Sequence, residues 1–165
     1  MPGNTPPRAG IFGIMNFVIR SLTATDEPLL WEMLYQALQT AESETAPARE
    51  IVRQPEFARY VENWGRPGDA GFVAHDRSDQ QLLGAVWFRP PPGDATPELA
   101  FAVKPGHRKR GLGAALLTQW VRANPEQSEV SLRVSAGHPA VRLYERFGFK
   151  VVREETESVL MRREI

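Results

Sequence analysis

The sequence predicts a single mixed α/β (α+β) domain, and three observations carry that prediction. At 165 residues the chain has the length of one domain, enough to bury roughly two thirds of its unfolded surface. Its apolar residues recur with a period of two in some stretches and near 3.6 in others, the marks of half-buried strands and amphipathic helices. Two helical segments precede the main run of strands, two more alternate with strands afterwards, and no stretch repeats another, the order of a sheet with helices packed on it.

The first fourteen residues, MPGNTPPRAGIFGI, hold three prolines and three glycines without periodicity. They are expected to form a flexible N-terminal arm, with residues 15–165 as the folded domain. A second methionine, Met15, stands just before the first strand, 16-NFVIRSL-22. The segment 26-DEPLLWEMLYQALQTAE-42 reads as an amphipathic helix with Asp26 near its cap and Leu30, Met33, Leu34 and Ala37 on its buried face. In 48-AREIVRQPEFARYVENW-64, Pro55 divides the helical pattern into two short helices. The strands 71-GFVAHD-76 and 81-QLLGAVWFR-89 pair across the polar turn 77–80, and 90-PPP-92 stops the second. Strand 98–104, helix 112–124, strand 129–135, helix 139–147 and closing strands 149–155 and 157–163 complete the chain.

Composition excludes several functions. Twenty Lys and Arg balance twenty Asp and Glu, so the whole molecule has no electrostatic pull toward nucleic acid or an anionic membrane. With no cysteine and only three scattered histidines there is no disulfide, no thiol nucleophile and no expected metal site. No apolar run approaches the roughly 18 residues that span a bilayer, and the stretch 9–19 lacks a cleavage signature before Arg20. A soluble, cytoplasmic protein is expected.

The segment 105-PGHRKRGLGAALL-117 joins a strand to a helix through a proline, three consecutive cations and two glycines. Such a turn exposes unpaired N–H groups at the positive end of a helix, and glycine lets a ligand approach the backbone closely. A phosphate suits that environment, with Arg108, Lys109 and Arg110 adding charge; a purely structural turn with solvated cations is the alternative. There is no Walker loop, and Leu116 stands where a dinucleotide fingerprint needs its third glycine.

The run 103-VKPGHRKRGLGA-114 closely resembles the acyl-CoA-binding segment of the GNAT superfamily of N-acetyltransferases, Q/R-x-x-G-x-G/A after a strand ending in V-x-P, with Arg108, Gly111 and Gly113 at its fixed places. The run 138-HPAVRLYERFGF-149 resembles the second signature of the same family through Ala140, Leu143, Tyr144, Glu145, Gly148 and Phe149. The order of elements extends the likeness over about residues 16–163. One position departs: His138 replaces the asparagine that often opens the second signature, and a histidine can still donate a hydrogen bond there.

The resemblance implies a mixed, mostly antiparallel sheet of six or seven strands with about four helices, its fourth and fifth strands, here 98–104 and 129–135, splayed around the cofactor acetyl-CoA. It places the pantetheine arm on the backbone of Phe101, Ala102 and Val103, and the pyrophosphate on Arg108, Lys109, Arg110, Gly111, Leu112, Gly113 and Ala114, with His138 nearby. The activity implied is direct transfer of an acetyl group to an amine in a ternary complex; a non-catalytic acyl-CoA sensor is the alternative. Tyr144 matches the family position that protonates the coenzyme A sulfur, although it also shares a helix face with Ala140, Leu143 and Phe147 and suits a core. Glu98 matches a position that commonly holds the base, with a solvated strand-end charge as the other reading. Strict alternation puts Glu98 beside Ala100 and Ala102, with room for a groove, unless the bulge common in this family strand reverses the facing. The oxyanion donor implied is a backbone N–H near Val103.

The acceptor is expected to be a small-molecule or peptide amine held near residues 23–45, 60–71 and 89–97. Asp26, Glu27, Glu42, Glu44, Glu62 and Asp69 are candidates to attract a cation there, and Trp31, Tyr35, Tyr60 and Trp64 to stack on one. Relatives often pair through a sheet edge, which makes a homodimer plausible.

Overall fold

The computed structural model describes residues 16–38, 47–90, 97–104, 111–125, 129–135, 140–156 and 158–164. The expected N-terminal arm, 1–14, lies outside them. Seven strands form one sheet: β1 Phe17–Ser21, β2 Ala70–Asp76, β3 Leu82–Arg89, β4 Glu98–Val103, β5 Glu129–Ser135, β6 Lys150–Glu154 and β7 Ser158–Glu164. Their spatial order is β1-β2-β3-β4-β5-β7-β6. Every neighbouring pair is antiparallel except β4 and β5, which run parallel. The helices are α1 Glu27–Leu38, α2 Pro55–Ala58, α3 Leu112–Ala123 and α4 Ala140–Arg146, with 3-10 turns at Ala24–Asp26 and Arg49–Arg53.

Each face of the sheet buries its own core. On one, Leu30, Met33 and Leu34 of α1 pack with Val52, Val61 and Trp64 against Val73, Ala85, Trp87 and Ala102. On the other, Leu112, Leu116, Leu117 and Trp120 of α3, with Tyr144 of α4, pack against Val86, Phe88, Leu99, Val130, Leu132 and Met161. The α3 residues recur at the spacing of one helix face, which is why this apolar stretch folds as a helix against the sheet. Ala37, expected on the buried face of α1, is exposed; Tyr35 and Gln36 are buried instead. Leu30, Met33 and Leu34 stay buried as expected, so the helix keeps its face and Ala37 is exposed only at its last turn.

Strand β4 pairs with β3 residue for residue, from Arg89↔Glu98 to Gly84↔Val103, without a bulge. The alternation read from the sequence therefore stands: Glu98, Ala100 and Ala102 share the face of α1, while Leu99, Phe101 and Val103 share the face of α3. The room expected beside the alanines is taken up. Ala102 is buried in the cluster that holds Met33, Leu34 and Trp87, and Ala100 packs at its border. The irregularity sits one strand away, where Ala74↔Gly84 is followed by His75↔Leu82 and Leu83 is the extra residue.

A buried ion pair ties the segment after α2 to the sheet. Arg89 donates from Nε and Nη2 to both oxygens of Asp69 at 3.1 and 2.9 Å. Its Nη1 reaches the carbonyls of Arg59 and Glu62 at 3.2 and 2.6 Å, and Nη2 also reaches that of Asn63 at 3.1 Å. All the donors of the guanidinium fork are thereby used. Asp69 in turn accepts the N–H groups of Gly65 and Arg66 at 3.0 and 2.9 Å. Trp87 Nε1–H, donating to the carbonyl of Tyr60 at 3.1 Å, adds a second tether.

The side chains of Arg89 and Asp69 are only 10 and 2% exposed, so removing one charge strands the other. Asp69→Ala should cost about 3–5 kcal/mol, read as a loss of stability in denaturant unfolding followed by tryptophan fluorescence.

Candidate active site

The functional geometry begins where β4 and β5 part. A single register pair, Glu98↔Ser131, joins them, reinforced by Ser131 N–H donating to the carbonyl of Pro97 at 2.9 Å. Strand β5 pairs instead with β7 along its whole length. The bond from Lys104 N–H to the Leu83 carbonyl, 2.9 Å, sets the phase of β4. Even-numbered residues, Ala102 among them, turn their N–H and C=O toward β3, and odd-numbered residues turn theirs toward β5. Past Glu98, the backbone of Phe101 and Val103 thus faces the side that β5 has left. Phe101 occupies a position suited to backbone pairing with a ligand, whereas Ala102 spends its backbone on β3.

The N-terminus of α3 lies at the other end of β4. Gly111, its N-cap, has φ +78°, and a side chain added there would meet nothing within 4 Å. The first helical bond runs from Ala115 N–H to the Gly111 carbonyl, 3.0 Å, and Gly111 supplies no capping side chain. The N–H groups ahead of Ala115, those of Leu112, Gly113 and Ala114, therefore have no acceptor inside the helix. Gly113 answers a different need: a Cβ there would lie 3.0 Å from Leu143 Cδ2 and 3.1 Å from Phe101 Cζ. Glycine at 113 lets α3, α4 and β4 meet; glycine at 111 supplies the left-handed turn into the helix. Leu112 is buried. Arg108, Lys109, Arg110 and His138 lie outside the described residues.

Tyr144 is 5% exposed. Its ring meets Phe101 edge-on with centroids 5.6 Å apart, and Phe149 at 6.1 Å. Gly148, with φ +92°, closes α4: Gly148 N–H bonds to the Glu145 carbonyl at 3.0 Å and Phe149 N–H to that of Tyr144 at 3.1 Å. This is a Schellman turn, and Tyr144 with Phe149 forms its hydrophobic clasp. The second signature thus has a folding role, and it presses Tyr144 against Phe101 of β4.

Glu98 is no solvated strand-end charge, its side chain being only 15% exposed. Oε1 accepts Arg133 Nη1 at 2.7 Å and lies 3.6 Å from Arg59 Nη2, while Oε2 accepts the Tyr60 hydroxyl. Arg133 Nε continues to Glu155 at 3.2 Å, and Arg153 Nη2 reaches Glu155 at 3.0 Å. Burial, then the adjacent Glu98 carboxylate, pushes the Tyr60 phenol above its ordinary range. Burial works against the charge on Arg133, but Glu98 outweighs it and holds the guanidinium cationic. Arg59 and Arg133 were not legible as site residues. Arg133 falls on the polar side of its alternating strand with Ser131 and Ser135, where nothing in the sequence marks it.

Among the candidates for gripping a cation, Asp26 is held by Arg20 at 2.9 and 3.0 Å, and that bond keeps its carboxyl below the usual range. Asp69 belongs to Arg89, and Glu27 accepts Trp31 Nε1–H at 3.1 Å. Guanidiniums of the chain itself cover the aromatic rings: Arg53 lies 4.0 Å from the Trp31 centroid, Arg49 4.1 Å from Tyr35, Arg59 4.2 Å from Tyr60 and Arg89 5.6 Å from Trp64. Glu42 and Glu44 lie outside the described residues.

Residues 31–149 match the family model described as Acetyltransferase (GNAT) family, a span that contains both signature segments. The chain belongs to the GNAT acetyltransferase family. It is therefore an acyltransferase by family, and its sheet with a lone parallel β4–β5 pair is the GNAT fold. PaiA N-acetyltransferase from Thermoplasma acidophilum, solved with coenzyme A, superposes with a TM-score of 0.63 at 18% identity over 92% of this GNAT chain and 100% of its own. Ribosomal-protein-alanine N-acetyltransferase from Brucella melitensis gives 0.62 at 21% over 90 and 99%. The yncA protein from Salmonella typhimurium, solved with its cofactor acetyl-CoA, gives 0.65 at 19% over 90 and 94%. At these identities the likeness establishes the fold. No curated protein sequence matches the chain. Among the described residues, no helix of this GNAT domain is long and apolar enough to cross a membrane, and no group of side chains suits a metal ion.

The Tyr60 contact has a measurable signature. Because the phenol is raised, its contact with Glu98 contributes stability fully below about pH 10, the ordinary tyrosine value, and loses it as the pH climbs through the native value. The ultraviolet titration of wild type minus that of Tyr60→Phe should show a phenol ionising well above 10; a midpoint at or below 10 contradicts the contact.

Proposed function

We propose that this protein transfers an acetyl group from acetyl-CoA to an amine by direct attack within a ternary complex. The observation that carries the reading is the β4 edge at Phe101, left without β5 beyond the Glu98↔Ser131 pair. An extended amide-bearing chain can add to such an edge as a strand would. The open space at Gly111 and the N–H groups of Leu112, Gly113 and Ala114 fit a diphosphate at the end of the same strand. Arg108, Lys109, Arg110 and His138 complete the proposed cofactor contacts with Phe101 and Val103, while Ala102, paired with β3 and buried under α1, shapes the strand without touching the cofactor. Two structural neighbours, PaiA and yncA, were solved with coenzyme A and acetyl-CoA, which supports the same choice.

When bound, acetyl-CoA supplies an activated thioester carbonyl. The residues of this chain then have distinct tasks. Glu98 accepts the proton of the attacking amine, its carboxylate oriented by Tyr60 and Arg133. Tyr144, held at Phe101 on the opposite face of β4, donates a proton to the departing sulfur. A gap between two strands is open to both faces of a sheet, so an acid on one side and a base on the other can serve one bond. Burial around Phe101 and Tyr144 keeps water from that proton.

Thiol release measured with a panel of amines tests these assignments. Tyr144→Phe keeps the ring and its packing, so it should retain affinity for coenzyme A while kcat falls about 100-fold or more. Glu98→Gln should lower kcat by about 100- to 10,000-fold at high substrate. Full turnover in Tyr144→Phe would return that residue to a purely packing role, and a wild type that binds acetyl-CoA yet acetylates nothing would point to a sensor.

A further inference from the structure

We infer that the acceptor is a small amine that carries a carboxylate, an α-amino acid, and that Arg59 and Arg133 grip its acid group. The inference rests on the acetyltransferase reading of the same site and names the substrate class. Around Glu98, three guanidiniums, those of Arg59, Arg133 and Arg153, face two carboxylates, Glu98 and Glu155. Tyr60 stays neutral beside them. Among the described residues the cluster thus holds one positive charge in excess, at the closed end of the β4–β5 gap where the proposed base stands.

The donors are placed to use it. Arg133 and Arg59 converge on one oxygen, Glu98 Oε1, at 2.7 and 3.6 Å. Arg133 spends Nη1 on Glu98 and Nε on Glu155; Arg59 spends Nε on the Glu56 carbonyl and Nη2 on the Tyr60 hydroxyl. Among the described residues Nη2 of Arg133 and Nη1 of Arg59 have no partner, and these side chains are 37 and 53% exposed. The backbone of Arg59 is fixed by the bond from Arg89 to its carbonyl, so the exposed guanidinium starts from a rigid base. An amine delivered to Glu98 therefore stands beside two guanidiniums that each keep one nitrogen to donate, and a carboxylate has the two oxygens to accept one bond from each.

Of the acidic candidates among the described residues, only Glu62 is exposed to an acceptor of the opposite class. Asp26 and Asp69 are committed to Arg20 and Arg89, and Trp31, Tyr35, Tyr60 and Trp64 each lie under an arginine of the chain. The remote ammonium of a polyamine would enter a field of like charge.

Calorimetric titration of the coenzyme A-loaded protein with L-methionine, L-phenylalanine and L-glutamate, their C-terminal amides, and spermidine decides the matter independently of turnover. The acids should bind about 10- to 100-fold more tightly than the amides, a preference that narrows as salt is raised. The ratio of kcat/KM for acid over amide should follow the same preference. Arg59→Gln and Arg133→Gln should each bring the ratio toward one, Arg59→Lys should restore part of it, and Arg122→Gln on the opposite face should not move it. Should Arg133→Gln fail to fold, the exposed Arg59 decides alone. Amides or spermidine that bind and react as well as the acids overturn the inference and leave the acetyltransferase reading standing. A protein that binds no coenzyme A ends both.

Discussion

The site depends on a contact that is not part of it, the buried pair of Arg89 with Asp69. Arg89 is the register partner of Glu98 across the β3–β4 ladder, and its guanidinium collects the carbonyls of Arg59, Glu62 and Asn63. One side chain therefore sets the height of the segment that carries Arg59 and Tyr60 above the strand that carries Glu98. A charge buried to this degree is tolerated only when every donor is answered, and that requirement makes the geometry stiff. The partner residues meet because nothing looser would satisfy Arg89.

Strand β4 is used on both faces and along one edge. Its even-numbered side chains join the core under α1, its odd-numbered ones the core under α3, and the absence of a bulge keeps the two sets apart. Glu98 and Tyr144 consequently stand on opposite sides of the strand, so the proposed base and acid can serve one bond only if that bond lies in the plane of the sheet. The early departure of β5, drawn away by its full-length pairing with β7, creates that place. The proposed guest would add its amides to β4 at Phe101, where β5 has already turned away.

The two signatures divide their labour between folding and binding. Gly113 and the Gly148 turn are explained by packing and helix closure alone: the first by the approach of Leu143 and Phe101, the second by the Schellman bonds that bring Phe149 to Tyr144. Gly111 is different, since the space around it is empty of protein. Its positive φ serves the turn into α3, while the open space beside it is what the proposed diphosphate would use.

The element order, most strand and helix bounds, both signature segments and the family were legible in the chain, because periodicity and helix-end chemistry act over a handful of neighbouring residues; the helical stretch expected over 48–64 instead forms a 3-10 turn, Arg49–Arg53, and a short helix that ends at Ala58. The two faces of β4 were legible for the same reason. The ring of contacts around Glu98 was not: Arg59, Tyr60 and Arg133 lie 35 to 39 positions away from it in sequence, and no local pattern encodes which distant charges a folded sheet will bring together. Nor did composition show that the acidic and aromatic residues near α1 were already taken by arginines. Zero net charge says nothing about where charge of one sign gathers, and that was decided when β3 folded back on β4 and Arg89 closed over the turn above them.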